Sequence, residues 1–352
     1  MKDVKTLLLE LSACTGVSGQ EQGAAEYIAA QMSEFTQCRK LPLGSLVCGM
    51  GPKDAPVLMT AAHMDEIGFI VTHIEDSGFL RVANVGGIDR KLYAASCVQV
   101  HTDTGVLKGV IASTPPHLKK EKEDQLPAAD EIVVDIGYSK EQAEKLVHPG
   151  DRITFDSLPA ALLDGSISAK ALDDRACCAA VMLAAEQLRG KDLALRLEFV
   201  FTSMEEVGSQ GAKTAAQFLQ PNYAVALDVS FAPVPDATEK NCGKLFGGPM
   251  LGIAPVLDNA ETRRLQQVAQ QAGIPLQTEV MSGSTGTDAD EIACSGAGVH
   301  TVLLSIPQKY MHTPVEVVAP QDVQQTAQLL AEYILALSAA VKEGTVYAEG
   351  TH

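Results

Sequence analysis

The sequence predicts an α/β fold interrupted by a β-rich insertion. Helical and strand patterns alternate through the first sixty residues, break into short β-rich runs between about 68 and 155, and alternate again after about 166. Val4, Leu7, Leu8 and Leu11 repeat at helical spacing, so the N-terminus opens on a helix. Ser18-Gly19-Gln20-Glu21 reads as a capping box starting a second helix through Ala24, Ile28, Ala29 and Met32. Leu46-Val47-Cys48 and the apolar run 57–62 follow, the latter of the kind expected for a buried strand.

Within the insertion, strands are expected at 69–74, 79–85, 97–102, 106–111, 132–136 and 152–155. Asp76-Ser77-Gly78, Gly86-Gly87 and Pro149-Gly150-Asp151 punctuate them as turns. The charged stretch 119–124 reads as a solvated loop, and the one helical pattern lies at 140–146. A small β-barrel or sandwich is expected. In the last part, helices are expected at 176–188, 212–218, near 260–272 and at 320–342, with strands at 195–202, 223–227, 276–281 and 301–306. The predicted organisation is one α/β domain from 1–66 and 160–352, split by an inserted domain at 67–159.

Composition removes several function classes. A formal charge of −17 repels phosphate backbones and anionic membrane surfaces and attracts cations. Aromatic residues make up 5% with no Trp, a poor supply of stacking platforms for sugars or single-stranded nucleic acid. Neither a nucleic-acid nor a membrane partner is expected. Leu11-Ser12-Ala13-Cys14 imitates a lipoprotein cleavage site, yet only four residues, 6–9, separate Lys5 from Glu10, too few for a signal-peptide core. The eight cysteines form no C-x-x-C pair and read as small buried residues rather than a disulfide framework. A cytoplasmic protein is expected.

Ligands in open α/β sheets gather at the carboxyl ends of the strands. The strand ending at Ala62 delivers His63 and Asp65, that ending at Thr202 delivers Glu205 and Glu206, and that ending at Leu227 delivers Asp228. The strand ending at Ile306 runs into a loop with His312, and Asp173-Asp174 opens a helix. Each alone has an ordinary structural reading: a surface histidine, a solvated acidic turn, a carboxylate complementing a helix dipole. Together they form a set of imidazoles and carboxylates that suits zinc, cobalt or manganese. Two histidines and three carboxylates suffice for two metals if one carboxylate bridges. In the Glu205-Glu206 pair one side chain can bind metal while the other takes the proton of a water. Asp65 can orient the His63 imidazole.

Thr15-Gly16-Val17-Ser18-Gly19, Ala62-His63-Met64-Asp65-Glu66-Ile67-Gly68, Ala171-Leu172-Asp173-Asp174-Arg175, Glu205-Glu206-Val207-Gly208, Ala226-Leu227-Asp228 and Tyr310-Met311-His312-Thr313-Pro314 resemble the tetrahedral aminopeptidase family. This is metallopeptidase family 42, with glutamyl, leucyl and deblocking aminopeptidases and some members named endoglucanase. Gly86-Gly87, Pro115-Pro116-His117, Asp135-Ile136-Gly137, Pro149-Gly150-Asp151 and Gly286-Thr287-Asp288-Ala289 look similar too, so the resemblance spans nearly the whole chain. It implies a zinc-peptidase-like three-layer α/β/α catalytic domain with an inserted small β-barrel. It also implies His63, Glu206, Asp228 and His312 as ligands of two divalent ions, zinc or cobalt with manganese as a third option, with Asp173 bridging, Glu205 as general base and Asp65 supporting His63. Short peptides are the implied substrates, and the insertion the implied driver of dimers and then a hollow homododecamer. Lys309 stands where arginine is common and Asp290 where small residues are usual, which bears on the pocket and leaves the metal set intact.

Two other readings compete. An endoglucanase-type glycosidase needs a carboxyl pair flanking a sugar cleft, but the histidines among these acids favour metal. A non-catalytic scaffold with a structural metal has no use for Glu205 beside a ligand.

Overall fold

The computed structural model describes residues 1–111, 117, 126–235 and 242–346. Helix α1 (Val4–Ala13) turns Leu7, Leu8 and Leu11 inward, and Asp3 caps it by accepting the Lys5 and Thr6 backbone N–H groups. Helix α2 (Gln22–Met32) and strands β1 (Cys38–Lys40), β2 (Leu46–Met50) and β3 (Val57–His63) follow. The capping-box expectation is corrected. Ser18 donates its hydroxyl to Asp65, and the Glu21 carboxylate accepts the N–H groups of Gly19 and Met204. These side chains tie the loop before α2 to the end of the sheet instead of to the helix.

Strands β4 (Gly68–Ile74), β5 (Leu80–Val85), β6 (Ser96–Thr102), β7 (Gly105–Ile111) and β8 (Val133–Asp135), the one-turn α3 (Lys140–Ala143) and β9 (Arg152–Phe155) make up the insertion. The strands close in the order β4-β5-β8-β7-β6-β9, each neighbouring pair antiparallel. Closure leaves no free edge, and the barrel has its own core around Phe69, Val98, Val134 and Ile153. Phe69 meets Tyr93 and Phe155 edge-on, with ring centroids 5.8 and 5.5 Å apart. The expected loop at 119–124 and Pro115-Pro116 lie outside the described residues.

The chain continues through β10 (Ala160–Ala161), β11 (Ile167–Ala169), α4 (Leu172–Leu188), β12 (Arg196–Thr202), α5 (Gln210–Leu219), β13 (Tyr223–Phe231) and β14 (Met250–Ile253). It ends with α6 (Asn259–Ala272), β15 (Gln277–Val280), α7 (Asp288–Ala293), β16 (His300–Lys309), β17 (Glu316–Val318) and α8 (Pro320–Lys342). The main sheet runs β1-β2-β12-β3-β13-β16-β17-β11-β10, with β14 and β15 attached beside β16. Its centre, β12-β3-β13-β16, is parallel.

Helices cover both faces. Along β3, Leu58 and Ala62 pack toward α1, α4, α6 and α8, while Met59 and Ala61 pack toward α5 and α7. This makes three α/β/α layers and explains why the central strands read as unbroken apolar runs. Helix α4 is buried around nearly its whole circumference, and its Ala176-Cys177-Cys178-Ala179-Ala180 stretch lets it lie close against the sheet. Truncating a side chain at this centre, such as Phe199→Ala, costs about 3–5 kcal/mol.

Two further expectations change. Cys38 and Cys48 form a disulfide; the β1–β2 register sets them directly opposite, a pairing that no C-x-x-C spacing announces. Cys177 and Cys178 are buried thiols, as expected. Strand β13 does not stop at Leu227 but continues to Phe231, so Asp228 lies within a strand rather than after it.

Candidate metal centre

The register of the parallel strands assembles the site. His63 ends β3 level with Thr202 of β12. On the other side Ala226 of β13 pairs with Ala61, so two residues further on Asp228 comes abreast of His63. The loop after β12 carries Glu205 and Glu206 over the same edge, and the loop after β16 brings back His312, whose φ is +60°. Asp173 arrives from below, at the start of α4, where it and Asp174 are non-helical. A dipole-complementing role for this pair is thereby replaced by contacts to the histidines.

Asp173 occupies the middle. Its Oδ1 lies 3.0 Å from His63 Nε2, and its Oδ2 lies 3.3 Å from His312 Nε2. Glu206 Oε2 is 3.4 Å from the same His312 nitrogen, and Glu205 Oε2 is 4.0 Å from His63 Nε2. Donor atoms of His63, Asp173 and Glu206 lie within 4.8 Å of one another, as do those of His63, Asp174 and Asp228. His63 is common to both groups. Together with Val229, Ser230, Glu279 and Thr285–Thr287, among others, most of these side chains line a cavity of about 480 Å³.

The electrostatics are those of crowded acids. Burial pushes Glu205 up to about 7 and Glu206 up to about 8, the latter with help from the Asp173 charge. Burial, followed by the Asp174 charge, raises Asp228 well above the ordinary carboxylate range. Asp173 is buried too, but its hydrogen bonds to His312 and His63 outweigh burial and hold it low. The Asp173 contact raises His312 to about 9. For His63, burial opposes the charged ring, but Asp173 and Asp65 prevail and raise it. The donors are nitrogen and oxygen only, several of them holding protons that a divalent cation would displace, and Asp174 Oδ1 is buried without a hydrogen-bond partner among the described residues. This donor set fits divalent metal.

The supporting residues are more numerous than expected. Asp65 stands 3.4 Å from His63 Nδ1 and also accepts the Ser18 hydroxyl and the Glu205 and Glu206 N–H groups. Glu316, which the sequence reading missed, is buried on β17. Its Oε2 accepts the Asp173 N–H at 3.0 Å and the Gln308 amide at 3.0 Å, and its Oε1 accepts the His312 N–H at 3.1 Å. Arg175, one turn along α4, bridges Glu66 and the carbonyls of Leu11, Cys14 and Met64, and Lys170 completes that buried ion cluster. Four residues beyond His312 and two beyond Asp173, Glu316 and Arg175 carry no spacing signal that marks them as positioning groups.

The barrel reaches the site as well. A Cβ on Gly87 would stand 3.2 Å from His312 Nδ1, so the Gly86-Gly87 turn lies directly over that imidazole. Asp290, unexpected in sequence, holds the cavity wall by accepting the N–H groups of Thr285 and Gly286. Lys309 does not line the cavity.

Comparison with known proteins converges on one group. Residues 44–329 match the family model for M42 glutamyl aminopeptidase. The lysyl aminopeptidase of Pyrococcus furiosus is 34% identical over 332 residues, covering 92% of this chain and 94% of that protein. The solved aminopeptidase APDkam598 from Desulfurococcus kamchatkensis superposes with a TM-score of 0.90 at 33% identity, covering 99% of both chains. The TET1 peptidase of Pyrococcus horikoshii, described as able to assemble into a tetrahedron or a large octahedral shell, gives 0.85 at 32% identity, covering 94% of this chain and 98% of that one.

Proposed function

Because the chain belongs to the M42 glutamyl aminopeptidase family, and is therefore a metalloaminopeptidase, we propose that its catalytic centre holds two divalent ions. His63 and Asp228 serve one ion, His312 and Glu206 the other, and Asp173 bridges. One observation carries this assignment: the two oxygens of Asp173 face different imidazoles, those of His63 and His312. Zinc or cobalt suits these donors best, with manganese as a third option.

When bound, the ions would supply Lewis acidity at the scissile carbonyl and make water a better acid. Glu205 then acts as general base: it takes the proton of the attacking water and returns it to the departing amine as the C–N bond breaks. Asp65 keeps Glu205 and His63 in place, and the cavity admits a chain end in preference to a folded surface. We infer that single residues are removed from the N-termini of short peptides. Comparing a peptide with its N-acetylated form tests this. Loss of cleavage on acetylation is expected, whereas internal cleavage of both forms at equal rates would contradict it. Conversion to a glycosidase reading is disfavoured, since the carboxylates pair with imidazoles rather than flanking an open cleft.

We further propose that 67–159 is the inserted oligomerisation domain and that 1–66 with 160–352 forms the catalytic domain, a division supported by the closure of the inserted strands into a barrel with its own core. Dimers assembling into a homododecamer is the expected state, and light scattering measures it. No helix among the described residues is long and apolar enough to cross a membrane. We propose a cytoplasmic location; Cys14, Cys97, Cys177, Cys178 and Cys294 are thiols there, while the Cys38–Cys48 disulfide is the bond that a reducing compartment would open.

A further inference from the structure

The cavity is also lined by a carboxylate, that of Glu279, which the proposed chemistry leaves unused. Along β15, Gln277 and Glu279 are half-buried while Thr278 and Val280 are exposed, so Glu279 lies on the strand's inner side, and it lines the cavity. Its Oε1 accepts the hydroxyl of Ser230 and its Oε2 accepts that of Ser305 at 3.3 Å. Both serines are buried, so the carboxylate is held from behind.

The strand registers place it relative to the cluster. Asp228 and Ser230 share a face of β13, roughly 7 Å apart along the strand. Ser305 stands opposite Asp228 in the β13–β16 register. Glu279 therefore sits about one side chain beyond the ligands, where the first side chain of a peptide would enter once its amine and carbonyl lie at the cluster.

The charge at that position favours a cation. The serine hydroxyls are neutral donors, and among the described residues the cavity lining contains neither lysine nor arginine. Asp173, Glu205, Glu206 and Asp228 have the proposed metals and imidazoles to offset them, whereas Glu279 has no such partner among the described lining residues. Leu303 and Met311 add apolar wall against which an aliphatic stem can lie.

We propose, resting on the aminopeptidase reading above, that Glu279 selects substrates whose N-terminal residue is lysine or arginine. The ammonium or guanidinium pairs with its carboxylate, a leucine forgoes that pairing, and an N-terminal glutamate is repelled.

The test measures kcat/KM for lysyl-, arginyl-, leucyl- and glutamyl-p-nitroanilide with the metal-loaded enzyme, Glu279→Gln and Glu279→Lys, each checked for metal content and melting temperature. Wild type should favour lysine and arginine over leucine by about 10–100-fold, the worth of a hydrogen bond to a charged group. Glu279→Gln should bring that ratio close to one, and Glu279→Lys should place glutamate above lysine. Added salt should shrink the wild-type ratio, a readout that needs no variant. An equal fall for every substrate in Glu279→Gln would assign the residue to the α-amine and overturn the inference, as would an unchanged ratio. Wild type that cleaves leucyl substrate without favouring basic ones overturns the selectivity alone; hydrolysis of none of the four removes the aminopeptidase reading with it.

Discussion

Asp65 accepts the backbone N–H of Glu205 at 3.0 Å. The same buried carboxylate accepts the Glu206 N–H at 3.2 Å and stands 3.4 Å from His63 Nδ1. One side chain therefore sets both the loop carrying the proposed base and an imidazole proposed to bind metal. Asp65→Asn keeps a single acceptor oxygen and turns an amide N–H₂ toward backbone N–H groups. Metal affinity and kcat/KM should each fall by about 10–100-fold, as for other groups that orient metal ligands. Equilibrium dialysis and kinetics check this, and wild-type values for both would remove the dual role.

Glu205→Gln separates proton transfer from metal binding. The variant should keep the fold and its metals yet lose about 10²–10⁴ in kcat. Activity within a few-fold of wild type means that another group is the base.

Glu316→Gln tests the group that the sequence hid. Three donors converge on this carboxylate, the N–H groups of Asp173 and His312 and the Gln308 amide. An amide in its place leaves at least one of them unpaired in a buried position, at a cost of about 1–3 kcal/mol. The melting temperature should drop and metal affinity should weaken about 10–100-fold. Full metal retention would confine Glu316 to a structural role.

Metal binding should depend on pH in a definite direction. His312 is raised to about 9 by its bond to Asp173, and Glu206 to about 8 by burial, so in the metal-free protein at neutral pH both hold protons. An incoming cation must displace them. Affinity should therefore rise from pH 6 to pH 9, by up to about tenfold per pH unit for each proton released. Calorimetry in two buffers of different ionisation enthalpy counts those protons, and a flat pH profile would contradict the competition.

Much of this was legible in the residues. The alternation of apolar runs foretold the layers, and the short runs between 69 and 155 foretold the barrel strands nearly one for one. Chemistry at strand ends was readable because parallel strands in register bring Thr202 and His63, the last residues of β12 and β3, level with Asp228, which lies inside the longer β13. The unread part was set by tertiary contact. Ser18 and Glu21 look like a capping box locally, yet Asp65, Gly19 and Met204 supply their partners. Short strands such as β10, β11, β14 and β17 exist because a neighbour pairs them, and their two to four residues are too few to show a period. The Cys38–Cys48 bond likewise follows from the pairing of β1 with β2.

The central claim is that Asp173 joins two metals, and the stoichiometry of the purified protein tests it most directly. Elemental analysis after loading and dialysis should give two equivalents per chain for wild type. Asp173→Ala should lose both, because each of its oxygens faces a different imidazole, at 3.0 and 3.3 Å. Two full equivalents retained by a folded Asp173→Ala protein would contradict the account.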